Sequence, residues 1–360
     1  MAMTTEKPRS TAHIGRGTTA QPSKVAELLS PWEEFRRIIP LVSLKSLLHR
    51  PHPAVPKVAV LLCTMQAQRF LAEQLNSVAT QTHPSWAIWA SDDGSHDYTH
   101  DILEYYQSHW GEDRISIHEG PAEGSTANFL SLTCRADIEA DYFAYADQDD
   151  IWESDKLERA VAWLQTVPPD VPALYGSRTL LVDARNQHIG YSPLFERPPS
   201  FRNALVQSIA GGNTMVFNRA ARDLLRKAGE NVEAVTHDWW AYMLVTSCGG
   251  RVFYDSHPTV RYRQHGENQF GANVDPVAQL RRARLLLQGR FRGWVDANLK
   301  GLHRVRHLMT PENQHVLDDF VQARQRWLGA RLVGLKRAGI HRQTALGNLG
   351  ITLAALINRL

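Results

Sequence analysis

The sequence is short of cysteine, with three in 360 residues, at positions 63, 134 and 248 and with no paired spacing. That excludes a disulfide-stapled scaffold and a Cys-based zinc module, and predicts three reduced thiols buried in apolar surroundings. Long hydrophobic runs are also missing. The longest, Leu346 to Ile357, is interrupted by Gly347, Asn348, Gly350 and Thr352, and falls short of the roughly 20 residues a spanning helix needs. Met1 to Gln21 is polar and lacks the apolar stretch of a signal peptide. The expected location is therefore the cytoplasm. No internal repeat is visible. Charged residues at 21% beside 43% hydrophobic ones exclude a largely disordered chain.

Net charge is low as well, +3, but it is unevenly spread. From Arg281 to Leu360, 15 Lys+Arg face 4 Asp+Glu, a net +11, whereas the first 280 residues carry 25 and 33. A mildly acidic body is joined to a strongly basic tail, a pattern suited to a membrane surface or a polyanion. The tail contains no recognisable nucleic-acid module, so no nucleic-acid partner is expected.

Residues 1–56 read as a disordered leader, short helices between Val25 and Leu48 broken by Pro31 and Pro40, and a Pro-rich linker from Arg50 to Pro56. From Lys57, β-rich runs alternate with helical spacing. Val58 to Cys63, Trp86 to Ala90, Ile115 to His118 and Tyr142 to Ala146 read as strands separated by helices. This order predicts an α/β fold with a mostly parallel sheet flanked by helices, covering residues 57–274. Ligands of such sheets bind beyond the carboxyl ends of the strands. Further on, Thr214 to Phe217 and Arg251 to Tyr254 read as strands and His237 to Ser247 as a helix. Residues 275–360 read as a basic helical region, with a capped helix start at Thr310-Pro311-Glu312.

Four clusters carry candidate chemistry. Asp92-Asp93-Gly94 ends a strand, where carboxylates can accept from a base N–H or ribose hydroxyls; the plain alternative is Asp-Gly turn chemistry. Asp147-Gln148-Asp149-Asp150 ends another. Three carboxylates so close together repel one another unless donors or a hard divalent cation compensate, and such cations bridge carboxylates to substrate phosphates. Asp238, after His237 and before Trp239-Trp240, reads either as helix N-terminal charge or as a base in a partly desolvated acceptor pocket. Arg261 to Asn268 combines Arg, Gln, His and Gly on one loop, suited to a diphosphate or simply exposed.

In this order, five motifs resemble the family 2 glycosyltransferases of the GT-A fold, nearest the bacterial rhamnosyltransferase-like branch. They are Phe70-Leu-Ala-Glu-Gln-Leu75, Ser91-Asp-Asp-Gly-Ser95, Ala146-Asp-Gln-Asp-Asp-Ile-Trp152, His237-Asp-Trp-Trp240 and Tyr262-Arg-Gln-His-Gly266. The resemblance implies a GT-A Rossmann-like sheet with a helical C-terminal extension. It also implies inverting, metal-dependent transfer of a sugar from a nucleotide-diphosphate donor, with dTDP-rhamnose the first guess. The acceptor would be a glycan or lipid-linked molecule in bacterial surface polysaccharide synthesis of the O-antigen, lipopolysaccharide type.

Residue by residue, the resemblance makes Thr64, Asp92 and Asp93 the nucleobase side, Asp147 the ribose side, and Gly212 and Asn213 the neighbours of the sugar or acceptor. Arg263 and His265 would reach the diphosphate. Mg or Mn would be held by Asp149, Asp147 and His265, and Asp238 would be the catalytic base. The chain departs from the family at Thr64-Met65-Gln66-Ala67, where Thr-Tyr-Asn-Gly is usual, and at Gly212-Asn213, where Gly-Cys is usual. Both departures touch donor or acceptor contacts.

A sugar-phosphate nucleotidyltransferase would need a Gly-rich loop after the first strand, and Thr64 to Arg69 has no Gly. A non-catalytic nucleotide- or glycan-binding module would not need both Asp149 and Asp238. Leu287, Phe291, Trp294, Val295 and Leu302 share one helical face. That face either packs on the body or leaves Arg281, Arg282, Arg284, Arg290 and Arg292 to meet an anionic membrane at the inner leaflet.

Overall fold

The computed structural model describes residues 31–44, 55–265 and 290–360. The chain divides after Ile38 into two units. Helix α1 (Pro31–Ile38) lies in the first, and all elements below lie in the second.

In chain order the strands are β1 (Val58–Thr64), β2 (Trp86–Asp92), β3 (Ile115–Glu119), β4 (Tyr142–Ala146), β5 (Ile151–Trp152), β6 (Ala173–Val182), β7 (His188–Tyr191), β8 (Val216–Asn218) and β9 (Arg251–Arg263). They form one sheet in the order β3-β2-β1-β4-β8-β6-β9-β5, with β7 beside β6. The β3-β2-β1-β4 half is parallel throughout, as its βα alternation requires. Beyond it, β8 runs antiparallel to both β4 and β6, while β6 and β9 are parallel. The fold is α/β.

All seven residues of β1 are buried, because helices cover both faces of the sheet. Ala59, Leu61 and Cys63 point to one cluster, with Phe129 of α4 (Ser125–Cys134) and Trp240 and Leu244 of α8 (His237–Ser247). The alternate residues, Val58, Val60 and Leu62, turn to the opposite face. The other body helices are α2 (Leu71–Ala79), α3 (Thr99–Trp110), α5 (Lys156–Leu164), the short α6 (Phe201–Ala204) and α7 (Arg219–Ala228). The predicted strand at Thr214 starts later. Gly212–Thr214 closes a 3-10 turn, in which Thr214 Oγ1 donates to Gly211 O and Met215 N to Gly212 O, and only then does β8 begin. Cys63 is buried as expected. Cys134 and Cys248 are half-buried, because each sits at a helix end.

Residues 40–44 are tied to the body: Asn76 Nδ2 and the Tyr106 hydroxyl donate to Pro40 O, and Trp110 Nε1 donates to Val42 O. The tail is tied to it too. Its helices are α9 (Arg290–Arg304), α10 (Pro311–Gln325), α11 (Leu328–Arg337) and α12 (Ala345–Leu356). Val295, Leu299 and Leu302 of α9 enter the central cluster, with Phe291 and Trp294 half-buried against it. Packing therefore claims the apolar face of α9. Gly301 allows this approach, since a Cβ there would lie 3.0 Å from Trp240 Cζ3. The predicted start of α10 holds: Thr310 Oγ1 accepts from Asn313 N, and Asn313 Nδ2 donates to the carbonyls of Thr246 and Ser247 that end α8. Leu287, Arg281, Arg282 and Arg284, with residues 1–30 and 45–54, lie outside the described residues.

Candidate functional site

Strand register assembles the site. Thr64 pairs with Asp92 across β1 and β2, and Leu62 pairs with Ala146 across β1 and β4. Thr64, Asp92 and the segment starting at Asp147 therefore leave the sheet side by side at one edge.

Asp92 is held by three donors. Thr64 Oγ1 and Ser95 Oγ reach its Oδ1 at 2.7 Å each, and Ser95 N reaches Oδ2 at 2.8 Å. A carboxylate offers about four acceptor positions, so a partly exposed Asp92 keeps capacity for a ligand N–H or O–H. Asp93 is differently placed. It is buried, and its two oxygens accept from Ala122 N at 2.7 Å and Gly124 N at 2.9 Å, which clamps the loop entering α4. Its expected place on the base is thus taken by the protein's own backbone. Gln148 was assigned no role from sequence. Its amide clasps Met65, accepting from Met65 N at 2.6 Å and donating to Met65 O at 2.9 Å, and so joins the exits of β1 and β4.

The acidic segment separates into different environments. Asp150 is fully buried, accepting from Asn213 Nδ2 at 2.5 Å and Arg263 N at 3.1 Å. Burial, then the charges of Asp149 and Asp147, push its carboxyl well above the ordinary range. Lys156 is buried too, its Nζ 4.3 Å over the Trp152 ring; burial lowers it to about 7, against the opposing pull of Asp150. Asp147 is raised to about 7 by burial and by the charges of Asp149 and Asp238. Asp149 Oδ2 lies 2.6 Å from His265 Nε2, and His265 stands against the Phe70 ring.

Arg263 was expected to face the diphosphate. Its guanidinium instead turns inward, with the side chain 1% exposed, because protein acceptors surround it. Nε donates to Asp149 O at 2.8 Å, Nη1 to Ala184 O at 3.2 Å and Nη2 to Glu73, while the plane stacks 4.3 Å over Phe70. It positions Asp149 from behind. Glu73, inside the Phe70 to Leu75 motif, is its ion-pair partner. Gly266, Glu267 and Asn268 of the same loop lie outside the described residues.

Asp238 stands half-buried in the first turn of α8, with Oδ1 accepting from Trp239 N at 2.7 Å. The two tryptophans do not wall an acceptor pocket. Both are buried beneath the helix, Trp239 Nε1 donating to Ala204 O at 2.6 Å. They fix the helix that carries Asp238. His237 stacks on Phe129 with ring centroids 3.9 Å apart, and burial lowers it to about 4. A Cβ on Gly212 would fall 2.3 Å from His237 Nε2, so the Gly212-Asn213 turn and α8 meet only because Gly212 lacks one.

Asp149 and His265 supply a carboxylate oxygen and an imidazole nitrogen that already converge. No group of three or more such side chains forms a metal set among the described residues, so Asp147 does not complete one there. Two protein donors suit Mg or Mn, which commonly complete their shell with phosphate oxygens and water.

Residues 59–225 match the Glycosyl transferase family 2 profile. The dTDP-rhamnosyl transferase RfbG of Shigella flexneri is 29% identical over 238 residues, covering 62% of this chain and 78% of that protein. The putative teichuronic acid biosynthesis glycosyltransferase TuaG of Bacillus subtilis is 31% identical over 109 residues, 30% of this chain and 42% of its own length. Among solved structures, S. aureus TarS 1-349 with UDP-GlcNAc aligns at TM-score 0.48 and 14% identity, over 78% of this chain and 90% of its own.

Proposed function

We propose, from the match of residues 59–225 to the Glycosyl transferase family 2 profile, that the chain moves a sugar, with inversion, from a nucleotide diphosphate to an acceptor hydroxyl. The observation that carries this reading is three kinds of group about the ends of the parallel strands: the oriented Asp92, the Asp149–His265 pair, and Asp238, whose charge is felt by Asp147. Asp92 with Thr64 takes the nucleobase, and Asp147 the ribose. The 29% identity to a dTDP-rhamnosyl transferase supports dTDP-rhamnose as the donor, and the likeness to a putative teichuronic acid biosynthesis glycosyltransferase supports a surface glycan, free or lipid-linked, as the acceptor.

Asp149 and His265 would hold a divalent cation on the donor diphosphate, which supplies charge neutralisation for the departing group. Asp238 takes the proton of the acceptor hydroxyl. The hydroxyl oxygen bonds to the anomeric carbon while the carbon–oxygen bond to the diphosphate breaks, the electron pair leaving with the diphosphate. Proton removal of this kind contributes about 10²–10⁴ in rate. Asp238→Asn is accordingly expected to bind donor and lose transfer by about that factor. Radiolabelled sugar transfer and donor calorimetry read the two quantities separately, and full turnover in the variant would remove Asp238 from the role. Turnover unaffected by EDTA would remove the cation.

A further inference from the structure

The tail inverts the usual surface. From Arg326 to Leu360 there are six Lys+Arg and not one Asp or Glu. The same stretch exposes large apolar side chains. Trp327 is 76% and Leu346 71% exposed, and Leu328, Val333, Leu349, Leu353, Leu356 and Ile357 are exposed as well. On α12 these are not scattered. Leu346, Leu349, Leu353 and Leu356 follow steps of three and four and so line one face, while Ile351, Ala354 and Ala355 pack inward. The helix itself carries no charge.

Helices α11 and α12 are fastened together: Arg331, buried, donates from Nη1 to Ala355 O at 2.7 Å and from Nη2 to Arg326 O at 3.0 Å. Of the other five basic residues, Arg342 is half-buried with its guanidinium 6.0 Å from the Phe291 ring centre, and four stay outside. Arg326, Lys336, Arg337 and Arg359 are exposed, and none has a carboxylate partner among the described residues. The two helices thus offer exposed leucines and exposed cations in a stretch that contains no acid.

We propose that this α11–α12 face docks on an anionic phospholipid bilayer. An apolar helix face with basic neighbours and an interfacial Trp is the arrangement that inserts part-way into the headgroup region. At 12 residues α12 is about 18 Å long, too short to span, so it lies in the interface plane. Charge selects the occupant. A second copy seated face to face would oppose two sets of cations with no acid to pair them, which anionic lipid does not. The site differs from the one the sequence suggested, since the apolar face of α9 is spent on packing. The inference stands apart from the reaction assigned above, because its readout is vesicle binding.

The test is flotation of the full chain with vesicles of phosphatidylcholine alone or with 30% phosphatidylglycerol, a composition on the order used to mimic an anionic leaflet. Binding is expected to the anionic vesicles only. Leu349→Glu/Leu353→Glu is expected to abolish it, and Lys336→Glu/Arg337→Glu to weaken it by about tenfold or more. Both variants are surface changes, so a cooperative melt at the parent temperature shows that each is folded. No flotation with anionic vesicles at low salt, or undiminished flotation of the leucine variant, overturns the proposal. So does a lipid-free dimer in light scattering that the leucine variant converts to monomer, which assigns the face to a second copy.

Discussion

The strand-end crevice and the tail face are opposites. In the crevice, polar groups go inside: Asp150, Lys156, Asn213 and Arg263 are all buried. On α11 and α12, apolar groups go outside. Each reverses the ordinary partition of side chains, and such reversals are the informative ones. Asp150, Asn213 and Arg263 meet that cost with hydrogen bonds within the protein, among them Asn213 Nδ2 and Arg263 N on Asp150, while Lys156 Nζ makes no hydrogen bond and lies over the Trp152 ring. The tail face has no such internal compensation, so its compensation lies in what it contacts. Chemistry is therefore expected at the first and association at the second.

Substitutions can break that contrast, beginning with the largest effect. Trp240→Ala removes the fully buried ring under Asp238 against which Gly301 packs, and should cost about 3–5 kcal/mol in chemical denaturation. A loss below about 1 kcal/mol would mean that crevice and tail are not joined through this ring.

A pH titration of stability comes next. His237 is lowered to about 4 in the folded chain from an ordinary 6.5, so the unfolded chain binds the extra proton between those values. Stability from this group is present above about 6.5 and is lost as pH falls toward 4, by on the order of 3 kcal/mol in full. Asp147, raised to about 7, works in the other direction: the folded chain holds its proton more tightly, so stability falls as pH rises from about 4 to 7. Asp147→Asn should therefore steepen the acid loss measured by urea melts. An unchanged slope would show that Asp147 titrates alike folded and unfolded. The smallest effect belongs to the other region, where Leu353→Glu should leave the melting free energy within about 0.5 kcal/mol. A larger loss would make that leucine part of the core.

Much of this was legible in the sequence. β1, β2 and β4 read directly from apolar runs, because buried parallel strands need little alternation. Helix α8 runs His237–Ser247, as its residues read. The acidic clusters stood at strand ends, and parallel strands place such ends at one edge. The roles of individual side chains were less legible. Asp92 and Asp93 are adjacent and chemically identical. One points to the crevice and the other to the amides of Ala122 and Gly124, and nothing local separates them. Arg263 sits in a loop motif that looks exposed, yet its partner Glu73 is 190 positions away.

The sequence by itself determined the α/β alternation, the strand-end placement of the acids and the charge split between body and tail. These follow from periodicity and composition, which are properties of neighbours along the chain. Only the tertiary structure decided which carboxylates stay available, that Arg263 turns inward, and that α12 rather than α9 presents its leucines to the outside. Those outcomes depend on register and on contacts across many tens of residues. Burial is a competition among all apolar faces for one core, and α9, seated on Trp240 through Gly301, took the place.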